Sequence, residues 1–386
     1  MSHIYTGIDV LRECDYQAIA GQRVGLFTNS SAVSSRLERT LDVLHSAPNV
    51  KLEALFAPEH GIHGAHRDGE LFESGFDESL GLYVHSVYGE NLRPPREMLA
   101  GLDIIVCDIQ DVGARYYTFL WTLSYILDAA GEYGVPVLIL DRPNPLGDAV
   151  RGPLLRPECA SLVGRFPIPI QHGMTIGEIA QMINALWLEY PANLTVIPCA
   201  GLQRTMTWDD IATPFIPPSP AMAHFVTAQH YPGACLIEGT TLSEGRGTAL
   251  PFEITGAPGL AADVLAHRLN AFSFSGVRFR PYAFRPTASK YAGADCTGIQ
   301  AHVTNYRTFD PITSWLGVIR ELRHFAPDIF SWASSGDSLN HFDRLIGNMG
   351  TRDAIDEGAT LGDLTMGWNL AALEFRSQRE PYLIYE

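Results

Sequence analysis

Ile104-Ile105-Val106-Cys107-Asp108-Ile109 is a short, almost wholly apolar run interrupted by a single acid near its end. After it Phe119, Leu120, Leu123, Ile126, Leu127 and Ala130 recur at three- and four-residue spacing, the pattern of an amphipathic helix. The helical pattern gives out between Gly131 and Gly134. Residues 135–140 are a second apolar run, which leads directly into Asp141. Strand, helix, strand predicts a parallel pair, because parallel neighbours need a long crossover rather than a tight turn.

The same alternation extends in both directions. Upstream, Val24-Gly25-Leu26-Phe27-Thr28-Asn29 reads as a buried strand, residues 34–45 as a helix and Leu52-Glu53-Ala54-Leu55-Phe56-Ala57 as another strand. Downstream, residues 175–190 read as a helix, with Thr175 as N-cap and Glu178 three residues on in a capping box. Residues 194–198 add a strand. The pattern predicts an α/β architecture, a parallel sheet with helices on both faces. Residues 201–231 are richer in proline and loop residues, and residues 239–259 hold five glycines and read as irregular. Beyond them 279–284 and 298–304 alternate like strands and 311–324 read as a helix. This change of texture places a domain boundary near residue 255, with 1–255 as the larger unit and 256–386 as a smaller α+β unit.

Composition bounds the function. The chain has 386 residues, enough for two or three domains. Its formal net charge of −16 disfavours nonspecific binding to nucleic acid or to an anionic membrane. No stretch approaches the roughly 18 apolar residues of a membrane span. The start, Met1-Ser2-His3-Ile4-Tyr5, lacks the basic-then-apolar pattern of a secretory leader. The expected location is therefore cytoplasmic, or exported if a leader has been removed. Six widely spaced cysteines without a CxxC pair predict reduced structural thiols.

Three predicted strands lead into acids: Glu59 in Pro58-Glu59-His60-Gly61, Asp108 and Asp111 in Asp108-Ile109-Gln110-Asp111, and Asp141 in Asp141-Arg142-Pro143-Asn144-Pro145. In a parallel sheet those ends share one edge, and open α/β folds bind ligands in the crevice outside it. Glu59, Asp108, Asp111 and Asp141 are therefore expected to converge with Arg115 and Arg142. A strand-end Asp also commonly caps the next loop. Glu59 does not read as a cap. It sits in a glycine-punctuated turn, and a carboxyl enclosed by loop walls retains its proton more readily, which suits a general acid. His60, His63 and His66 are spaced by three, but Gly61 and Gly64 oppose the helix that would align them on a metal. His60 is expected to hydrogen-bond substrate or Glu59, and neither metal nor cofactor is expected. The stretch Glu238-Gly239-Thr240-Thr241-Leu242-Ser243-Glu244-Gly245-Arg246-Gly247-Thr248 lets backbone approach a ligand closely. Its acids and arginine suit a hydroxyl-rich partner, while a solvated turn with a Glu–Arg pair is the plainer alternative. Tyr116, Tyr117 and Trp121 either line a sugar platform or open a core helix. No GxGxxG follows the first strand and no GxSxG occurs, which argues against a nicotinamide dehydrogenase and a serine hydrolase. Chemistry by paired carboxylates, or binding without chemistry, remains, and glycoside cleavage is the commonest paired-carboxylate reaction.

Several of these stretches resemble the exo-β-N-acetylmuramidase family. They are Ala57-Pro58-Glu59-His60-Gly61, Asp108-Ile109-Gln110-Asp111-Val112-Gly113 with Arg115-Tyr116-Tyr117-Thr118, and Asp141-Arg142-Pro143-Asn144-Pro145. To these are added His172-Gly173-Met174-Thr175-Ile176-Gly177-Glu178, Tyr231-Pro232-Gly233, the glycine-rich stretch and the tail Tyr382-Leu383-Ile384-Tyr385. The resemblance spans nearly the whole chain. It implies a Rossmann-like domain joined to a smaller C-terminal domain that completes a cleft. It also implies release of N-acetylmuramic acid from the non-reducing end of peptidoglycan-derived glycans. By resemblance Glu59 is the general acid, and Glu244, with Asp111 behind it, is the second carboxylate. His60, Asp108, Tyr117, Asp141, Asn144, His172 and Glu238 join the substrate-binding set. The lactyl carboxylate of muramic acid needs a cation, for which Arg115, Arg142 and Arg246 are the candidates. Arg151, Ala221 and Thr241 stand where the family pattern usually has an acid, Asn and often Asn. A non-catalytic sugar-binding protein, or a hydrolase of another acidic sugar, are the alternatives.

Overall fold

The computed structural model describes residues 2–333 and 339–386. The strands run β1 (Arg23–Thr28), β2 (Lys51–Ala57), β3 (Gly75–Asp77), β4 (Leu82–Ser86), β5 (Ile104–Asp108) and β6 (Val137–Leu140). They continue with β7 (Arg151–Leu154), β8 (Pro169–Gln171) and β9 (Leu194–Ile197), and end with β10 (Ile254–Ala257), β11 (Val277–Phe284) and β12 (Cys296–Val303). The main sheet has the order β3-β4-β2-β1-β5-β6-β9. Its strands are parallel except β3, which pairs antiparallel with β4 at the edge. The fold is thus an α/β domain on a mixed sheet, followed by a smaller α+β region built on the antiparallel sheet β10-β12-β11. Strand order reverses between β1 and β5, and the crevice beyond such a reversal is where open α/β sheets hold ligands.

The central strands form because they are apolar on both faces. β5 and β6 are buried at every residue and β1 at all but its first. The helix Thr118–Tyr133 covers the sheet and ends at Gly134, whose φ of +73° closes it in a left-handed cap. The helix Ile176–Leu186 opens with the expected capping box: Thr175 N donates to Glu178 Oε2 at 3.0 Å, and Glu178 N to Thr175 Oγ1 at 3.3 Å.

Several boundaries differ from the sequence reading. The helix expected over 34–45 is confined to Thr40–His45. Ser34 Oγ accepts from the N–H groups of Arg36 and Glu38, and Leu37 takes a φ of +63°, so a turn replaces the first helical turns. Phe225–Ala234 is a helix despite Pro232. It lies so close to the helix Pro311–Phe325 that a Cβ on Gly233 would stand 2.0 Å from Pro311 O. The glycine-rich stretch is not wholly irregular, since β10 falls within it.

The C-terminal tail returns to the first sheet. Ile384 N donates to Glu178 Oε1 at 2.7 Å, and Tyr385 Oη to Asp141 Oδ2 at 2.6 Å. Asp141 is fully buried and also accepts from Thr175 Oγ1, Gly177 N and Arg142 N. Burial outweighs these donors and pushes its carboxyl up to about 6. A carboxyl raised in the folded state contributes stability that is full below its unfolded value and is lost as pH rises through the folded one. Stability should therefore fall between about pH 4 and pH 6 by up to roughly 3 kcal/mol from this group. Asp141→Asn keeps the shape, because the Thr175 and Tyr385 hydroxyls can turn to accept from its amide. Urea titrations of both proteins across this range should show that loss in the parent and its absence in the variant. Equal slopes would refute the assignment.

Candidate active site

Glu59 follows β2 by two residues. The chain then reverses through two left-handed residues, His60 at φ +72° and Gly61 at +73°. His60 Nδ1 meets His66 O at 2.8 Å, and His66 N donates to His60 O at 3.2 Å. This folds the loop back until Gly69 N donates to Glu59 Oε1 at 2.9 Å. Tyr88 Oη donates to the same oxygen at 3.0 Å, and Thr118 Oγ1 to Oε2 at 2.8 Å. Burial, then the charge of Glu59, raise the Tyr88 phenol, so it stays a donor.

Glu59 lines a cleft of about 1270 Å³. Its opposite wall comes from the glycine-rich stretch and from β11 with the residues after it. Six of the thirteen residues expected to catalyse or bind substrate meet in this cleft, Glu59, His60, Tyr117, Glu238, Glu244 and Arg246, and Tyr116 lines it beside them. Tyr117 is almost completely enclosed, and burial raises its hydroxyl well above the ordinary phenol range. Arg246 grips Glu238 Oε1 with Nε at 2.9 Å and Nη2 at 2.8 Å, and Nη1 donates to Asp68. Burial alone would raise the Glu238 carboxyl, but Arg246 and His341 hold it well below the usual range. Glu244 Oε2 stands 3.0 Å from Lys290 Nζ, ion-paired but off the hydrogen-bond axis. Lys290 Nζ also donates to the carbonyls of Ile237, Glu238 and Leu242.

The other seven do not line the cleft, and each has a structural reason. Asp108 is wholly buried, paired with Arg142 and accepting from Thr40 Oγ1. Arg142 binds Asp108 with Nε and Nη2, and Nη2 also donates to Val33 O. Arg115 is buried on the carbonyls of Pro153, Ile168 and Leu345. Burial draws its guanidinium down to about 10, still charged at neutral pH. Neither arginine is free to grip a substrate carboxylate. Asp141 holds the tail as described. Asn144 Nδ2 donates to Met174 O, and its Oδ1 accepts from Leu146 N. Asp111 accepts from Gly113 N at 2.6 Å and lies 3.6 Å from the buried His172. Most of the polar residues at this sheet edge are thus used one layer beneath the cleft.

Sequence reasoning missed Tyr88, Thr118, Asp68 and Lys290. Tyr88 and Lys290 belong to no recognisable motif. Thr118 was quoted only as the end of one, and Asp68 was signalled only by its place in the Glu59 loop. The three histidines turn to separate acids, His60 to Asp68, His63 to Asp77 and His66 to Glu70. Of the three departures, Arg151 lies in the ribbon β7–β8 and does not line the cleft, Ala221 does line it, and Thr241 Oγ1 donates to Ile329 O.

Four carboxylates line the cleft: Glu59, Asp68, Glu238 and Glu244. Asp68 and Glu238 share Arg246, and Glu244 faces Lys290. Glu59 alone is held by neutral donors among the described residues. It can take up or give a proton without breaking an ion pair. An open α/β cleft with several carboxylates, one of them so placed, offers the groups that a carboxylate-dependent glycosidase needs.

Residues 24–226 match the family description "Exo-beta-N-acetylmuramidase NamZ, N-terminal", and residues 229–385 match its C-terminal counterpart. The chain belongs to this exo-β-N-acetylmuramidase family. It is 41% identical over 383 residues to the peptidoglycan β-N-acetylmuramidase NamZ of Bacillus subtilis (strain 168), covering 99% of this chain and 91% of that protein. A crystal structure of a DUF1343 family protein from Bacteroides fragilis NCTC 9343 superposes with a TM-score of 0.90 at 32% identity, over 100% of this chain and 99% of the other. A second protein of that family and organism gives 0.76 at 29% identity over the same shares.

Proposed function

We propose that the chain removes N-acetylmuramic acid from the non-reducing end of peptidoglycan fragments, with Glu59 protonating the glycosidic oxygen. The observation that carries this reading is the neutral setting of Glu59 in a cleft whose other carboxylates are ion-paired. The Bacillus relative, a peptidoglycan β-N-acetylmuramidase by name, supports the substrate class. Glu244 is the second carboxylate in this reading. Paired with Lys290, it suits stabilisation of the positive charge that develops at the anomeric carbon. The parallel strands β4-β2-β1-β5-β6-β9 follow the doubly wound order 3-2-1-4-5-6, which supports a Rossmann-like description of the first domain.

Incubation with a chromogenic N-acetylmuramic acid glycoside and its N-acetylglucosamine counterpart tests the proposal. Release from the muramic acid glycoside, and far less from the other, is the expected result. Release from neither would sink it.

A further inference from the structure

Arg246 faces three acids: Glu244 stands 3.8 Å from Nε, and the two that it hydrogen-bonds, Glu238 and Asp68, are held very differently. Glu238 takes Nε and Nη2 on one oxygen and is 21% exposed, with His341 at 3.8 Å on its other oxygen. Asp68 takes Nη1 on one oxygen, with His60 Nε2 3.7 Å from the other, is 40% exposed, and comes from the Glu59 loop, 178 residues away in sequence. The guanidinium carbon lies 4.9 Å from the Phe252 ring centroid, which fixes its plane. Glu238 is therefore the permanent partner, and Asp68 is the exchangeable one.

Of the other cations on the cleft wall, Lys290 and Arg285 are already engaged, and Arg67 belongs to the exposed part of the Glu59 loop. The Lys290 ammonium is taken by three carbonyls and Glu244. Arg285 binds Asp295 through both Nε and Nη2. Among these paired cations, Nη1 of Arg246 is the donor whose partner, being the exposed one, can leave most easily.

We propose that Asp68 is a place-holder on Arg246. In the free protein it occupies the position that the carboxylate of an acidic sugar takes on binding, and so it sets both the affinity and the selectivity of the cleft for carboxylate-bearing ligands. This deepens the reading of the cleft as a muramic acid site and rests on it. Exchange of one carboxylate for another on Nη1 conserves the charge-assisted hydrogen bond, and Asp68, already exposed, returns to water. A sugar without a carboxylate has nothing to offer Nη1. It must either bind with Asp68 in place or strand a guanidinium edge, which costs the desolvation of that donor. The arrangement therefore rejects neutral sugars and accepts acidic ones through the same competitor.

Titration calorimetry with N-acetylmuramic acid and with N-acetylglucosamine, on the parent, Asp68→Asn and Arg246→Gln, tests this. Asp68→Asn removes the competing charge and should tighten N-acetylmuramic acid by about five-fold, the scale of an exposed ion pair. N-acetylglucosamine should change less than about two-fold in the same variant. Arg246→Gln should weaken N-acetylmuramic acid at least about ten-fold and narrow the preference between the two sugars. In turnover of the chromogenic muramic acid glycoside, Asp68→Asn should act on KM more than on kcat. Equal shifts for both sugars would reveal only a loosened loop and overturn the proposal, as would an unchanged affinity for N-acetylmuramic acid. A parent protein that cleaves the muramic acid glycoside while Asp68→Asn behaves identically leaves the proposed function standing and removes the place-holder. A parent that neither binds nor cleaves muramic acid removes both.

Discussion

Glu59→Gln is expected to lower kcat on a natural, unactivated glycan by roughly 10²–10⁴-fold, the usual contribution of a positioned general acid. The substitution is nearly isosteric, and the surroundings accept it. The amide oxygen can keep the two donors on Oε1, Gly69 N at 2.9 Å and Tyr88 Oη at 3.0 Å. The amide nitrogen then faces Thr118 Oγ1, at 2.8 Å in the parent, and a hydroxyl can turn to accept. No buried polar group is stranded, so the fold and the ground-state affinity should change little. kcat and kcat/KM should fall together, the pattern of an interaction made in the transition state. The leaving group provides the sharper check. A nitrophenolate departs with little help from a proton, so the loss on a nitrophenyl glycoside should be far smaller than on a disaccharide. Equal losses on both would point to a nucleophile or a binding group. Undiminished activity on the disaccharide would remove Glu59 from the mechanism.

How much of this could be seen in the sequence depended on where each residue's partners lie. β1, β2, β5 and β6 were legible because parallel strands covered on both faces are nearly continuous apolar runs. β3 and β4 were not, since they sit at the sheet edge and are only partly buried. The helix before Thr40 was over-read because the pattern there could not show Ser34 capturing its own following N–H groups. Pro232 hid the helix Phe225–Ala234, whose place is set by packing rather than propensity. Glu59 was legible because its turn carries glycines and no cap. Its donors were not: Tyr88 and Thr118 lie 29 and 59 residues away, and their roles exist only after β4 is placed beside β2, and β2 and β5 beside β1. Arg115 and Arg142 were misread for the same reason. A strand-end arginine looks alike in sequence whether it faces a cleft or three buried carbonyls.

The Asp108–Arg142 pair turns that misreading into a measurement. Both side chains are almost entirely buried and joined at two points, with Thr40 and Val33 completing the network. Removing one partner leaves a charge in a low-dielectric interior, which typically costs about 3–5 kcal/mol. Asp108→Leu should therefore lower the unfolding free energy by about that amount in urea titration. Removing both charges should cost less. In Asp108→Leu with Arg142→Met, the Thr40 hydroxyl and the Val33 carbonyl lose one partner each, but no uncompensated ion remains. The double variant should be the more stable of the two, with a coupling of at least about 2 kcal/mol. Neither residue lines the cleft, so kcat of the folded protein should be retained in both variants. The reading of these residues as substrate ligands predicts the reverse, namely lost turnover with stability intact. The two outcomes are separated by a stability curve and one rate, and they decide whether the acid at the end of β5 serves the sheet or the sugar.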